Sequence, residues 1–187
     1  MDNLIFVTSN SDKFKEAQAV LPELIQLKVD LPEIQEINPQ TLIESKLFEA
    51  TKYCKGSFIV EDQWLELDSL HGMPGPFVKW FMQRMGNGGI YELARKYESM
   101  AVRNRVLLGY SNALGDKKYF ESVVSGTVVS PRGWGDFGWA SIFQPIGSLK
   151  TYAEMDKHEK VEHNPRVHAL NKLKYFLNIK GNLGKVV

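Results

Sequence analysis

Short apolar runs alternate with amphipathic segments along the first half of the chain. Leu4 to Val7 and Phe58 to Val60 are continuous apolar runs, a pattern typical of strands that are buried on both faces. Leu24 to Val29 predicts a further strand between them. Lys13 to Leu21 and Thr41 to Lys52 instead place apolar residues at helical spacing. This alternation of strands and helices is typical of an α/β domain.

In the second half of the chain, the sequence predicts a β-hairpin that is preceded and followed by helices. Ala101 to Asn112 and Lys118 to Val129 are strand-like stretches joined by a short polar turn. Helical spacing occurs over Phe77 to Met85, Ile90 to Tyr97, Thr151 to Glu159 and Arg166 to Leu177. A flexible glycine-rich break at Gly86 to Gly89 separates the helix predicted to end at Met85 from the helix predicted to begin at Ile90. We therefore expect residues 1–187 to form one α/β domain with a mixed sheet flanked by helices.

Composition and charge narrow the class of protein. Apolar residues make up 43% and charged residues 24% of the chain, which is ordinary for a globular domain. The formal net charge of +1, from 23 basic and 22 acidic residues, argues against a broad surface for DNA or RNA. No apolar run approaches the roughly 20 residues of a membrane helix, and Leu4 to Val7 is too short for a secretory signal. Neither a nucleic-acid polymer nor a membrane is an expected partner.

Cys54 is the only cysteine of the sequence. A single cysteine cannot form a disulfide within one chain, which favours the reducing cytoplasm as the location. A lone cysteine can also act as a nucleophile, but no Cys-His pairing is visible in the sequence. We predict a buried and unreactive thiol, because free cysteine is often buried.

The polar loop between the first strand and the first helix is the first candidate for chemistry. Thr8, Ser9 and Asn10 precede the helix, and Lys13 lies in its first turn. A helix N-terminus presents free backbone N–H groups and a partial positive charge, to which Lys13 adds a full charge. This pattern favours phosphate binding. An N-cap that only starts the helix explains the same residues, and the loop lacks the ending of a Walker motif.

A pair of acids follows the apolar run that ends at Val60. Glu61 and Asp62 are predicted to lie just after a strand, where carboxylates often line a cleft. With Glu33 or Glu36 from the preceding loop, they form a candidate oxygen site for Mg²⁺. A solvated acidic turn is the alternative interpretation.

Three further segments carry candidate contacts for a nucleotide. Lys79 is predicted to lie in the first turn of a helix that follows the rigid PGP turn. Phe137 and Trp139 on a glycine-rich loop are able to stack on a base. Lys160 and Arg166 are able to hold phosphates or a base carbonyl. The alternatives are a solvated lysine, two core aromatic rings and a charged helix face.

Taken together and in order, these segments resemble the inosine triphosphate pyrophosphatase family. The resemblance is carried by VTSNSDKFKEA, DLPEIQE, VEDQWLELDSLHGMPGPFVKWF, SPRGWGDFGWASIFQP and TYAEM. It implies an elongated mixed β-sheet in two lobes with a central nucleotide cleft, and a homodimer. It also implies Mg²⁺-assisted hydrolysis of a nucleoside triphosphate to a monophosphate and pyrophosphate. The implied substrates are deaminated purines such as inosine and xanthosine triphosphates.

The resemblance also implies roles for individual residues. Asp62 is the implied proton acceptor and, with Glu33, a metal-associated acid; Lys13 is the second implied catalytic residue. The implied substrate contacts are Thr8, Ser9, Asn10 and Lys13 for the triphosphate, Lys46 and Lys79 for the phosphates, Phe137 and Trp139 for the base, and Lys160 and Arg166 for the base or a phosphate.

The departures from the family pattern lie mainly in the segments implied to read the base. A site that recognises its ligand by hydrogen bonds loses discrimination when a partner is missing. The hypotheses are an active pyrophosphatase with altered base selectivity, a nucleotide-binding protein without useful turnover, and an enzyme for another nucleotide. The departures are Ala140-Ser141 for the usual Asp-Pro, Val161 for Asn, Asn164-Pro165 for Ser-His, and Gln63 for a small hydroxyl residue.

Overall fold

The computed structural model describes residues 4–134 and 138–183, with side chains described up to residue 178. The chain divides into two compact units. The first falls within Met1–Asp62, Val106–Ser122 and Arg166–Val187, and the second within Gln63–Arg105 and Val123–Pro165. No helix in the described part of the chain is long and apolar enough to cross a membrane.

The elements include the strands that the sequence predicts together with two short strands, at Pro74–Gly75 and Phe143–Pro145, that it does not predict. The strands are β1 Ile5–Val7, β2 Ile25–Leu27, β3 Phe58–Leu67, β4 Pro74–Gly75, β5 Ala101–Ser111, β6 Lys117–Val128 and β7 Phe143–Pro145. The helices are α1 Ser11–Val20, α2 Pro39–Ala50, α3 Val78–Lys96, α4 Lys157–Glu162 and α5 Pro165–Leu183, with short 3-10 turns at Asp68–Leu70 and Tyr152–Glu154.

Among the described residues, the strands form one mixed sheet in the order β2-β1-β3-β5-β6-β7, and β4 pairs with β3. The pairing around β1 is parallel, with Ile5 opposite both Ile25 and Phe58. The β3–β4 and β6–β7 pairs are antiparallel. This arrangement confirms the predicted α/β fold with a mixed sheet flanked by helices.

The core of the first unit packs helices against the apolar strands. Phe6, Ile59 and Leu108 come from three strands, and Ala17 and Leu170 come from α1 and α5; all five are buried. Burial of such side chains from water is the main favourable term in folding. The core therefore holds the ends of β1 and β3, together with α1, in place around the loop at Thr8 to Asn10.

Asparagine side chains start both helices that the first-unit site uses. Asn10 Oδ1 accepts hydrogen bonds from the backbone N–H groups of Asp12 at 2.9 Å and Lys13 at 3.0 Å. Asn38 caps α2 in the same way, and Pro39 occupies the first helical position, where proline is favoured. The helix α2 therefore begins two residues before the predicted Thr41.

Strand β3 is longer than predicted. The sequence predicts a strand that ends before Glu61, but the observed strand continues to Leu67. The continuation has no strict alternation of buried and less buried positions, because the neighbours Asp62 and Gln63 are both partly exposed and the neighbours Trp64 and Leu65 are both buried. Glu61 and Asp62 therefore lie within a strand and not in a turn after it.

Two helical regions also differ from the prediction. The predicted break at Gly86 to Gly89 is reduced to a single non-helical residue, Gly86, with φ 62° and ψ −175° inside α3. Glycine adopts this positive φ without the steric cost of a Cβ. The predicted helix from Thr151 is instead a 3-10 turn followed by α4, because Asp156 caps a new helix with Glu159.

Candidate active site

A cavity of about 180 Å³ lies within the first unit, where β1 ends and α1 begins. Its polar lining mixes small hydroxyl and amide side chains with two lysines and three acids. The lining residues are Val7, Thr8, Ser9, Asn10, Lys13, Val29, Asp30, Leu31, Glu33, Lys46, Val60 and Glu61. Six of these are the substrate and metal contacts implied by the family resemblance, and Glu61 is one of the acids predicted as candidate Mg²⁺ ligands. Asp30 is the lining acid that no sequence pattern singled out.

The loop at Thr8 to Asn10 is held by its own side chains. The backbone N–H of Asn10 donates to Thr8 Oγ1 at 3.2 Å, and Ser9 Oγ donates to Asp30 Oδ1 at 3.2 Å. Asn10 also caps α1, as described above. The two interpretations of this segment are therefore compatible, since the same residues start the helix and line the cavity.

Glu61 forms the buried centre of an ion-pair network. Its carboxylate accepts hydrogen bonds from Arg166 Nε at 2.6 Å and Nη2 at 3.0 Å, and lies 3.1 Å from Lys13 Nζ. Burial of Glu61 opposes its ionisation, but the charges of Arg166 and Lys13 outweigh this and lower its pKa from 4.5 to about 2. Glu61 is therefore ionised at neutral pH, and it fixes Lys13 at the cavity wall.

Lys46 forms a second buried ion-pair network. Its Nζ lies 2.7 Å from Glu33 Oε1, 3.3 Å from Asp62 Oδ2 and 3.4 Å from the backbone oxygen of Glu61. Burial opposes the charge of the ammonium, but Asp62 and Glu33 outweigh this and raise the pKa of Lys46 above its ordinary value. The ammonium thus brings together the two acids that the family resemblance associates with a metal.

The alternation of β3 explains why these networks are separate. Consecutive strand residues point to opposite faces of the sheet. Glu61 and Asp62 are consecutive in β3, and their carboxylates contact different cations. Glu61 therefore forms ion pairs with Lys13 and Arg166. Asp62, the next residue of the strand, forms an ion pair with Lys46.

Arg166 is paired with two acids. Its side chain is buried, and Nη1 lies 2.6 Å from Glu16 Oε2 while the other nitrogens contact Glu61. Both carboxylates raise the pKa of the guanidinium above its ordinary value against the effect of burial. The predicted contact of Arg166 with a base or phosphate stays a prediction. Glu16 was missed because it lies 150 positions from Arg166, and no sequence pattern links them.

The predicted contacts in the second unit have different surroundings. Lys79 is exposed, with its Nζ 5.9 Å from the ring centroid of Trp80. Trp139 is only 8% exposed, which fits the alternative of a core ring. Lys160 is half-buried in α4, and Phe137 lies outside the described residues. The roles of these residues in nucleotide binding stay predictions.

Cys54 is less buried than predicted, but its surroundings disfavour a reactive thiolate. It is half-buried after α2, with its Sγ 3.5 Å from the backbone oxygen of Ala50. Burial raises its pKa above the ordinary value, which disfavours the thiolate that nucleophilic chemistry needs.

Comparisons with known proteins agree with this picture along nearly the whole chain. The chain is 36% identical over 186 residues to an inosine triphosphate pyrophosphatase of Schizosaccharomyces pombe, covering 97% of this chain and 98% of that protein. It is 38% identical over 172 residues to an inosine triphosphate pyrophosphatase of Pyricularia oryzae, covering 90% and 89%. A HAM1 protein structure from Coxiella burnetii has the same fold, with a TM-score of 0.79 at 22% identity, covering 95% of this chain and 99% of that one. The model of the Ham1 family matches residues 4–176. These findings confirm the resemblance seen in the sequence: the chain belongs to the Ham1 family.

Proposed function

We propose that this protein is a nucleoside triphosphate pyrophosphatase that releases a monophosphate and pyrophosphate, with residues 1–187 acting as one catalytic domain. The observation that carries the proposal is the first-unit cavity. The cavity is lined by a helix N-terminus, by Lys13 and Lys46, and by Glu33. Glu33 and Asp62 both form ion pairs with Lys46. Phosphoryl-transfer sites need this combination of positive charge and metal-binding oxygen.

The N-terminal end of α1 is the proposed binding site of the triphosphate. Thr8, Ser9 and Asn10 line the cavity next to Lys13, whose side chain is 23% exposed and so reachable. The partial positive charge of a helix N-terminus favours phosphate oxygens. Lys13 would stabilise negative charge that develops on the leaving pyrophosphate.

Glu33 and Asp62 are the proposed holders of Mg²⁺. No group of three or more Asp, Glu, His or Cys side chains arranged to hold a metal occurs within residues 4–134 and 138–183. Mg²⁺ commonly uses one or two protein carboxylates and completes its shell with water and substrate phosphates. The carboxylates of Glu33 and Asp62 lie close together, because both contact Lys46 Nζ. This oxygen donor set fits Mg²⁺ bound together with a triphosphate.

Asp62 is the proposed proton acceptor. Its side chain is 14% exposed and lies 3.3 Å from Lys46 Nζ, which holds the carboxylate in position. When bound, Mg²⁺ would neutralise phosphate charge and orient water for in-line attack. Asp62 would take the proton that this water loses, and Lys46 would stabilise the carboxylate before the reaction.

The proposed substrates are deaminated purine nucleotides, such as inosine and xanthosine triphosphates. The support is the name shared by the relatives from Schizosaccharomyces pombe and Pyricularia oryzae. Proposed contacts from the second unit are Lys79, Phe137, Trp139 and Lys160. The changes at Ala140, Asn164 and Pro165 lead us to propose a base selectivity that differs from the usual family pattern. On the family resemblance we also propose a cytoplasmic homodimer.

A panel of triphosphates tests this function. Inosine, xanthosine, guanosine, adenosine and uridine triphosphates are incubated with the protein and Mg²⁺, and pyrophosphate release is measured alongside the change in Tm. We expect turnover in the ordinary enzyme range of about 1–1000 s⁻¹ for at least one deaminated purine. A rise in Tm with no pyrophosphate from any triphosphate would show a binding protein and refute the proposal.

A further inference from the structure

One side chain joins α3 to the loop that carries Trp139. Asn87 Nδ2 donates to the backbone oxygen of Gly138 at 3.0 Å and to Ser141 Oγ at 2.7 Å. These two acceptors bracket Trp139 and Ala140, which are both buried. We call residues 138–141 the base-side loop. Asn87 thus ties both ends of this loop to the helix.

The orientation of the Asn87 amide follows from its partners. A backbone carbonyl can only accept a hydrogen bond, so the group facing Gly138 must be the amide nitrogen. The reverse orientation would place two acceptor oxygens against each other. Asn87 Oδ1 is then left buried without a hydrogen-bond partner among the described residues.

The hydrogen bond to Ser141 depends on the side chain at position 141. Ser141 Oγ accepts from Asn87 Nδ2 at 2.7 Å, whereas the neighbouring Ala140 has no polar side-chain atom. This half of the restraint on the loop is therefore supplied by the serine hydroxyl and is lost when that group is removed.

Packing alone does not hold the base-side loop. A cavity of about 290 Å³ lies beside it in the second unit, lined by Asn87, Gly138 and Ser141 together with Pro131, Arg132, Gly133, Trp134 and Ala153. The side of the loop that faces this cavity lacks close-packed neighbours, so hydrogen bonds contribute more to its position. The break at Gly86 in α3 directly precedes Asn87, where the second part of the helix begins.

We propose that Asn87 is a positioning residue that holds the base-side loop and thereby sets the affinity for the base of the substrate. This inference rests on the proposed function, in which the loop contacts the base. Asn87 acts through Gly138 and Ser141 and does not itself touch the reacting phosphates.

The test compares the Asn87→Ala and Ser141→Ala variants, their double variant and the control Gln83→Ala. Gln83 is an exposed amide on the same helix. KM and kcat are measured for inosine triphosphate, and the inhibition constant is measured for inorganic tripolyphosphate, which has no base. Tm and the Kd for inosine triphosphate are recorded for each variant.

Asn87→Ala should raise KM for inosine triphosphate about 10- to 100-fold, the range expected when a substrate-positioning group is displaced. Its kcat and its inhibition by tripolyphosphate should stay close to wild type, as should all constants of Gln83→Ala. Ser141→Ala should raise KM by less, and the double variant should resemble Asn87→Ala because the two residues share one interaction.

Two results would overturn the inference. One is an unchanged KM in Asn87→Ala. The other is an equal weakening of inosine triphosphate and tripolyphosphate together with a lower Tm, which would indicate a purely structural role. If the wild-type protein releases no pyrophosphate, the proposed function fails separately. In that case the Kd of Asn87→Ala for inosine triphosphate is compared with the wild-type Kd. An increase of about 10-fold or more supports the inference, and an unchanged Kd refutes it.

Discussion

Replacing Glu61 by glutamine removes one charge from the buried network of the first unit while nearly keeping the shape of the side chain. Glu61 accepts hydrogen bonds from Arg166 at 2.6 and 3.0 Å and contacts Lys13 at 3.1 Å. Arg166 is only 3% exposed, and Glu16 would remain as its carboxylate partner. The variant therefore leaves a buried guanidinium with less compensating charge.

The size of the effect follows from the pKa of Glu61. The pairing lowers this pKa from 4.5 to about 2 in the folded protein, against the effect of burial. Each pKa unit corresponds to about 1.4 kcal/mol, so ionisation of Glu61 contributes about 3 kcal/mol to the free energy of unfolding at neutral pH. Removing one partner of a buried ion pair typically costs about 3–5 kcal/mol. Both routes predict a large loss of stability for Glu61→Gln.

The sign of the pH dependence is also determined. Because folding lowers the pKa of Glu61, its stabilisation is fully present above the unfolded pKa of 4.5 and is lost as the pH falls towards about 2. Glu61→Gln lacks this titrating group. The difference in unfolding free energy between wild type and variant should therefore shrink as the pH falls through this range.

Urea denaturation followed by circular dichroism measures this difference at pH 7, 4.5 and 3. The control is Glu92→Gln, which removes an acid from the exposed pair with Arg95 and should change the free energy of unfolding little, because water screens this pair. The reasoning is refuted if Glu61→Gln costs no more than this control at pH 7. A difference that stays constant from pH 7 to 3 would refute the assigned pKa.

Three further changes test other parts of the account. Lys46→Met should tighten Mn²⁺ binding in the absence of nucleotide, because the ammonium no longer competes for the two proposed metal acids; calorimetry showing equal or weaker binding would contradict this. Gly109→Ala should cost about 1–3 kcal/mol in urea denaturation, since its Cβ would lie 2.5 Å from Ile43 Cγ2, and a loss within error of zero would show that the helix can move away. Pro165→His combined with Asn164→Ser should raise the kcat/KM ratio of inosine over adenosine triphosphate, and an unchanged ratio would mean that this segment does not read the base.

Local patterns in the sequence predict much of the first-unit site. The apolar run at Ile5 to Val7, the polar residues after it and the helical spacing from Lys13 together predict strand, loop and helix, and the structure has all three. These predictions succeed because short apolar runs and N-cap residues act over a few positions. The family resemblance adds Glu33 and Lys46, which the structure joins in one ion pair.

Contacts between distant positions are the part that the sequence does not predict. Glu61 and Arg166 are 105 positions apart, and their pairing depends on how α5 packs against β3. The length of β3 was also missed, because Trp64 and Leu65 are both buried and interrupt the expected alternation. Such features depend on tertiary structure more than on local propensity.

The most direct test of the central claim is to identify the products of the reaction with inosine triphosphate and Mg²⁺. The wild-type protein and Asp62→Asn are each incubated with both, and ³¹P NMR monitors the phosphorus-containing products over time. The account predicts equimolar inosine monophosphate and pyrophosphate from the wild type, with a rate more than about tenfold lower for Asp62→Asn, in line with loss of a general base. Release of orthophosphate and inosine diphosphate, no product at all, or an equal rate in Asp62→Asn would contradict it.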